Sequence, residues 1–239
     1  MLLLQFAIGA ANDWADAAAD ATAHPAKPIP AGLIRRPVAA RIAAGAAMGG
    51  LALAALAGPP TLAVAAAGLA TGLVYDLRLK RTRWSWLPYA VGIPLLPVFA
   101  WIGATGSLPA SFAVLVPIAM VAGAALAVAN AVADVEGDLA AGIETIATSL
   151  GLDQARRTGG ALQGLVLLAA LSSAALFGGD AAWLAVTGGG SIIVLVGLAL
   201  GWSGRPTTRR HGWEVQAVRI VIVAAGWLGA LASAGLPAG

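Results

Sequence analysis

The chain alternates between apolar stretches of about twenty residues and short clusters of charged residues. A helix that spans a bilayer needs about 20 predominantly apolar residues. Eight stretches reach or approach that length, so we predict an all-α, polytopic membrane bundle with about eight transmembrane helices. Ala, Leu and Gly dominate these stretches, and the alternating pattern of a membrane β-barrel is missing. The predicted segments are 1–20, 37–57, 59–77, 87–105, 109–133, 158–178, 181–202 and 215–236.

The composition supports a membrane protein. Of the 239 residues, 59% are hydrophobic and only 10% are charged, whereas soluble domains have about 25% charged residues. The chain has no cysteine, which excludes disulfides and thiolate metal sites. The net charge of +3 is explained by basic loops at one face of a membrane, so we expect membrane lipids and no nucleic acid as partners.

The charged residues are predicted to lie on one side of the membrane. All fourteen Lys and Arg fall in or beside the first, third, fifth and seventh connections between the eight segments. Ten of the eleven acids lie at the same ends of the segments, and Asp180 is the exception. Because positively charged loops stay in the cytoplasm, we expect the termini outside, a cytoplasmic functional site and a multi-pass protein of the cell membrane.

Two acidic runs share the spacing Asn-x3-Asp-x3-Asp. On a helix, positions i, i+4 and i+8 lie along one face, so each run is predicted to form a ladder of oxygen ligands. The first ladder consists of Asn12, Asp16 and Asp20, with Asp13 beside it, and the second ladder consists of Asn130, Asp134 and Asp138.

The ladders indicate a site for a diphosphate and a divalent cation. Carboxylates near the hydrocarbon region are costly unless they are paired or face water. Mg²⁺ characteristically bridges a few carboxylates to substrate phosphates. Lys27, Arg78, Lys80 and Arg81 follow the first ladder or the third span, and such residues bind phosphate oxygens.

These motifs resemble those of the intramembrane prenyltransferases of the UbiA superfamily. Asn12-Asp13-x-x-Asp16-x-x-x-Asp20 is similar to the first signature of that family, and Lys27-Pro28-Ile29-Pro30-Ala31-Gly32 is similar to the loop that follows it. Residues 75–81 resemble the family's tyrosine-plus-lysine loop, and residues 134–151 resemble its second acidic signature. Lys80 lies five residues after Tyr75, where the family often has four.

The resemblance implies one integral-membrane domain over residues 1–239, with a helical bundle around a cavity that opens laterally to the bilayer. It implies Mg²⁺-dependent transfer of a prenyl group from an isoprenyl diphosphate, through an allylic carbocation, to an aromatic or lipid acceptor in quinone-, chlorophyll- or lipid-type biosynthesis. Family members usually have one helix before the first acidic motif, so we expect that a preceding helix is missing from this chain or that the chain is a short variant.

The resemblance also assigns roles to residues. The Mg²⁺ ligands implied are Asn12, Asp16, Asp134 and Asp138. The catalytic residues implied are Asp16, Asp134, Lys80 and Tyr75. Contacts with the substrate are implied for Asn12, Asp13, Asp20, Lys27, Arg81, Asn130 and Asp138.

Two other functions fit the same residues. A terpene cyclase on this scaffold would let the carbocation react with its own chain, and a non-catalytic protein would only bind isoprenoid diphosphates. A transferase releases diphosphate only when an acceptor is present, whereas a cyclase needs no second substrate. A non-catalytic protein would bind the diphosphate without turnover. The sequence does not distinguish among acceptors or prenyl chain lengths.

Overall fold

The computed structural model describes residues 1–234, and every regular element among them is helical. The helices are α1 (Leu2–Ala23), α2 (Arg36–Leu56), α3 (Pro59–Val74), α4 (Leu87–Thr105), α5 (Phe112–Ala140), α6 (Ile146–Leu150), α7 (Leu152–Leu176), α8 (Ala181–Gly201) and α9 (Pro206–Ser233). A π-helical turn, Tyr75–Leu79, continues α3. The last residues of the predicted segment 215–236 lie outside the described residues. The predicted all-helical membrane fold is confirmed.

Seven of the described helices are long and apolar enough to cross a membrane. They include every predicted segment except the first, which forms α1 but is not among the seven. An Asn and three Asp in the second half of α1 lower its hydropathy.

Several helices extend beyond the predicted segments into charged sequence. Helix α5 continues to Ala140, α7 begins at Leu152, and α9 begins at Pro206. The length of an apolar stretch predicts only the part of a helix that lies in the lipid. The helical hydrogen bonds of the backbone continue beyond that part into the charged turns. The second ladder therefore lies within α5, which carries it past the predicted end at residue 133.

The chain divides into two compact units. The first contains Met1–Lys80 and Leu95–Leu108, and its core is built from α1, α2 and α3 around Leu4, Ala7 and Leu69. The small residue Gly50 lets α1 approach, because a Cβ there would lie 2.6 Å from Cδ2 of Leu4. A single domain over residues 1–239 stays a prediction.

The second unit contains Arg81–Pro94 and the described part of Pro109–Gly239. Val128, Val132 and Ala155 belong to a buried cluster between α5 and α7. Helices α8 and α9 approach closely at glycines: a Cβ on Gly212 would lie 2.6 Å from the carbonyl oxygen of Gly197. Close approach at small residues is how membrane helices gain packing contacts, so this pair holds the charged start of α9 against its neighbours.

Candidate functional site

The first ladder lies on a single helix. Asn12, Asp16 and Asp20 all belong to α1, where alanines between the acids favour the helical backbone. The helix ends at Ala23, two residues before Pro25, because a proline disfavours the α conformation of the residue before it. The three side chains therefore project along one face, as their spacing predicts.

Lys80 reaches the upper part of this ladder from the end of the π-helical turn. Its Nζ donates to Oδ1 of Asn12 at 2.8 Å and to Oδ2 of Asp16 at 2.5 Å. The side chains of Lys80 and Asp16 are only 15% and 16% exposed. Water therefore weakens this ion pair less than it weakens ion pairs at the surface. Two oxygen atoms thus converge on one cationic position.

Lys27 occupies a second position of the same kind. Its Nζ lies 2.8 Å from Oδ2 of Asp20 and 3.3 Å from Oδ1 of Asp13. Partial burial opposes the charged form, but the hydrogen bonds with Asp20 and Asp13 outweigh it, and the pKa of Lys27 is raised above 10.5. The four polar residues of the first signature are therefore arranged as two oxygen pairs, each around one lysine.

The π-helical turn explains how Lys80 arrives there. The backbone N–H of Lys80 donates to the carbonyl of Tyr75 at 2.9 Å, across five residues rather than the four of an α-helix. The turn accommodates the five-residue spacing noted in the sequence. Tyr75 begins it and is half-buried, and π-helical turns are frequent at functional sites.

Asp76 is a buried acid on this turn. It is 6% exposed, and no described residue makes a hydrogen bond to its Oδ2. The turn packs against α1, which brings Asp76 within electrostatic reach of Lys80 and Asp16. A buried oxygen without a donor is a position that a cation or a proton would stabilise.

The second ladder lies on α5, in the second unit. Asn130 and Asp138 are half-buried, and Asp134 is 41% exposed. Oδ1 of Asp134 lies 2.9 Å from Nη1 of Arg210, which comes from the first turns of α9. Asp134, the predicted catalytic acid of this ladder, is therefore paired with Arg210. From the sequence, Arg210 was expected only to mark the cytoplasmic side.

Asp138 is tied to the short helix that follows α5. Its Oδ2 accepts a hydrogen bond from Oγ1 of Thr145 at 3.2 Å. Thr145 is also the N-cap of α6 and forms a capping box with Thr148. The second signature therefore folds back on itself, so that α6 holds the lower end of the ladder.

A buried arginine, paired with a half-exposed glutamate, supports the second ladder. Arg209 is 1% exposed; its Nη2 donates to the carboxylate of Glu136, whose side chain is 51% exposed. Arg209 Nε donates to the carbonyl of Val132 at 3.2 Å and Nη1 donates to that of Ser203 at 3.1 Å. Sequence reasoning missed this role of Arg209 and Glu136, although both already lay among the charges predicted to face one side of the membrane.

Two of the predicted phosphate-binding arginines lie at the surface. Arg78 and Arg81 are exposed, and Arg81 belongs to the second unit rather than to the unit of the first ladder. Within residues 1–234, no group of three or more His, Asp or Glu side chains lies close enough to hold a metal ion alone. A cation at either ladder would therefore need ligands from outside the carboxylates, such as phosphate oxygens or water.

Comparisons with known proteins identify the family of the chain. The model of the UbiA prenyltransferase family matches residues 1–216. The chloroplastic chlorophyll synthases of Arabidopsis thaliana and of Oryza sativa subsp. japonica are each 30% identical to the chain, over 157 and 158 residues. These matches cover 61% of the chain but only 40% and 42% of the two relatives, so the chain spans less than half of their length.

Two solved structures share the fold. A structure described as digeranylgeranylglyceryl phosphate synthase in membranes superposes with a TM-score of 0.73 at 17% identity, and covers 97% of this chain and 85% of its own. The apo structure of a UbiA homolog from Aeropyrum pernix K1 also gives 0.73, at 18% identity, with coverages of 95% and 85%. With the seven apolar helices, these matches identify a multi-pass membrane protein.

Proposed function

Because the chain belongs to the UbiA prenyltransferase family, we propose that it transfers a prenyl group from an isoprenyl diphosphate to an aromatic or lipid acceptor. The observation that carries this proposal is the pairing of oxygens on α1 around Lys27 and Lys80. Such an arrangement places fixed cations beside acids, which suits a ligand that brings both divalent metal and phosphate.

The oxygen donors of the ladders fit Mg²⁺. Carboxylate and amide oxygens are the hard ligands that this ion prefers, and the unpartnered Oδ2 of Asp76 adds a buried anionic oxygen near the first ladder. In this proposal Asn12 and Asp16 on α1, and Asp134 and Asp138 on α5, would serve as Mg²⁺ ligands at their own ladders. When bound, Mg²⁺ would neutralise charge on the diphosphate oxygens of the leaving group.

The protein's own residues would act mainly by position and charge. The bond between the allylic carbon and the diphosphate oxygen breaks, and its electron pair leaves with the diphosphate. Lys80, Lys27 and Arg81 would stabilise that negative charge, and the Tyr75 hydroxyl would donate to it. The acceptor then bonds to the carbocation and loses a proton, while surrounding apolar residues exclude water. Asp13, Asp20 and Asn130 would position the substrate.

For the acceptor and the membrane side of the site we propose only a class of molecule and a side. The names of the two plant relatives favour a chlorophyll-type acceptor, and quinone-type and lipid acceptors stay within the proposal. The basic connections favour the cytoplasmic side of the cell membrane for the site.

The experiment measures diphosphate release and prenylated product with the purified full chain in lipid vesicles. Prenyl diphosphates of several lengths are supplied with and without Mg²⁺, together with a hydroxybenzoate, a tetrapyrrole carboxylate or a bacterial lipid extract. We expect release that requires Mg²⁺ and one acceptor, and that is lost in Asp16→Asn and in Asp134→Asn. Asp180→Asn is the matched control, because the side chain of Asp180 caps α8 by accepting from the N–H of Ala182 and Asn is an equally good cap.

Other outcomes would change the function. Release without any acceptor would indicate a terpene cyclase. Mg²⁺-dependent binding of the diphosphate without release under any condition would indicate a non-catalytic binder. Equal activity in Asp16→Asn and Asp180→Asn would contradict the proposed role of the first ladder.

A further inference from the structure

A cleft separate from the two ladders opens between α5, α7, α8 and α9. The free space inside it is about 20 Å³, which is room for about one water-sized group. Val128, Val132 and Leu198 form apolar walls, whereas Arg156, Arg209 and Trp213 bring polar atoms to it. Arg156 is in the first turns of α7 and Arg209 in those of α9, so the cleft lies at the charged ends of these helices.

A hydrogen-bond donor in this cleft lacks an acceptor. Nε1 of Trp213 is shielded from solvent, and no residue among those described accepts its hydrogen bond. Buried donors without partners are rare in native structures, and each indicates a partner that has yet to be accounted for. An indole N–H can only donate, so that partner must offer an oxygen or another acceptor.

The charge of the cleft specifies the acceptor further. Arg209 is balanced by Glu136. Arg156, with a side chain only 10% exposed, has as its acidic neighbour Asp153 at 3.3 Å, which is 80% exposed and open to water. Its other hydrogen bonds run to the carbonyls of Gly201 and Ser203 at 3.2 and 2.8 Å. Among the described contacts, the guanidinium therefore has no buried anion.

Two tryptophans place the cleft at the level of lipid head groups. Trp202 ends α8 and stacks beside the guanidinium of Arg156, 5.8 Å from its ring centre. Trp213 lies one helical turn beyond Arg209 on α9. Tryptophan is enriched at membrane–water interfaces, and basic pockets between membrane helices bind anionic head groups.

We infer that this cleft binds the phosphate head group of an anionic phospholipid, whose oxygen accepts from Trp213 while Arg156 balances its charge. The free space of the cleft suits that single oxygen, and the rest of the head group and the acyl chains lie outside the cleft. Free phosphate offers the same oxygens but no apolar stem. The inference does not depend on prenyl transfer and concerns residues outside both ladders.

The test compares lipids on the purified full chain in detergent. Dioleoylphosphatidylglycerol, dioleoylphosphatidylcholine and inorganic phosphate are added separately; the melting temperature is recorded, and retained lipid is identified by native mass spectrometry. We expect phosphatidylglycerol to raise the melting temperature by about 5 °C more than phosphatidylcholine does. Trp213→Phe, which removes the N–H and keeps the ring, should at least halve that difference, as should Arg156→Gln.

Matched controls separate the cleft from general surface charge. Arg157→Gln changes the exposed neighbour of Arg156, and Trp183→Phe changes a tryptophan at the other end of α8; both should keep the lipid effect. Equal shifts with the two lipids, or equal losses in Arg156→Gln and Arg157→Gln, would overturn the inference. A shift with inorganic phosphate alone that depends on Trp213 would support the phosphate chemistry and overturn the lipid source.

Discussion

The two ladders have the same spacing but are neutralised differently. On α1, Lys80 and Lys27 each lie between two oxygen atoms. On α5, Asp134 forms an ion pair with Arg210, and Asp138 accepts a hydrogen bond from Thr145. A lysine is a compact point charge on a flexible stem, whereas an arginine is a planar fork that fixes direction.

The difference suggests a division of labour between the two units. The α1 oxygens already share cations in pairs, and a lysine that moves aside would leave each pair ready for another cation. The α5 acids are held by directional contacts from α9 and α6, so their helix is fixed in place. Two motifs with the same spacing in the sequence can therefore differ in how firmly their acids are held.

Removing Lys80 should give the largest effect. Lys80→Met deletes the cation shared by Asn12 and Asp16, and we expect prenyl transfer to fall by about 10²–10³-fold, as for loss of one preorganised charge in other active sites. Arg210→Met removes a partly exposed partner of one acid of the second ladder and should cost about tenfold or less. Steady-state rates in vesicles measure both. Equal losses would mean that the two ladders are neutralised in the same functional way.

Removing Arg209 should have the largest effect on stability. The guanidinium of Arg209 is buried and donates to the carbonyls of Val132 and Ser203, and each buried acceptor left without its donor costs about 1–3 kcal/mol. Because two carbonyls lose their donor while Glu136, which is 51% exposed, can be hydrated, we expect Arg209→Met to lower the free energy of unfolding by about 3 kcal/mol. The matched variant Arg210→Met should lose about 1 kcal/mol or less, since Arg210 is exposed.

Titration with a denaturing detergent, followed by circular dichroism, measures this pair of variants. A loss in Arg209→Met no greater than that in Arg210→Met would show that the second ladder does not depend on a buried support.

The capping contact of α6 should matter less. Thr145→Ala removes both the N-cap and the hydrogen bond to Asp138, and loss of a cap costs about 1 kcal/mol. Thr145→Ser keeps the hydroxyl and should restore most of the stability. Thermal unfolding in the same detergent compares the three proteins. If the serine variant unfolds as early as the alanine variant, then the hydroxyl is not what holds this part of the second ladder.

The smallest effect concerns pH. The pKa of Lys27 is raised above its ordinary 10.5, so its contribution to stability is fully present below that value and is lost as the pH rises through the folded pKa. The stability difference between the wild type and Lys27→Met should therefore be constant from about pH 8 to pH 10 and shrink above pH 10.5. Unfolding curves across that range measure it, and a difference that does not change with pH would contradict the ion pairing.

The sequence was enough to predict the helical membrane fold, because apolar length is a local property of the chain. It also predicted that the acids of each ladder share a helix face, since helical spacing is fixed. The partners of the acids could not be found in this way: Arg210 lies 76 residues from Asp134, and only packing of α9 against α5 brings them together. The same holds for Arg209 and Glu136, whose pairing depends on burial that charge patterns do not reveal.

The π-helical turn at Tyr75–Leu79 matters for alignment of related chains. A gapless alignment with family members whose lysine lies four residues after the tyrosine would set Leu79 against that lysine and treat an ion-pairing position as apolar. Each α-helical residue advances the side-chain direction by about 100°, so the wide turn absorbs the inserted residue and leaves Lys80 beside Asn12 and Asp16. A search pattern that permits both spacings would recover chains of this kind.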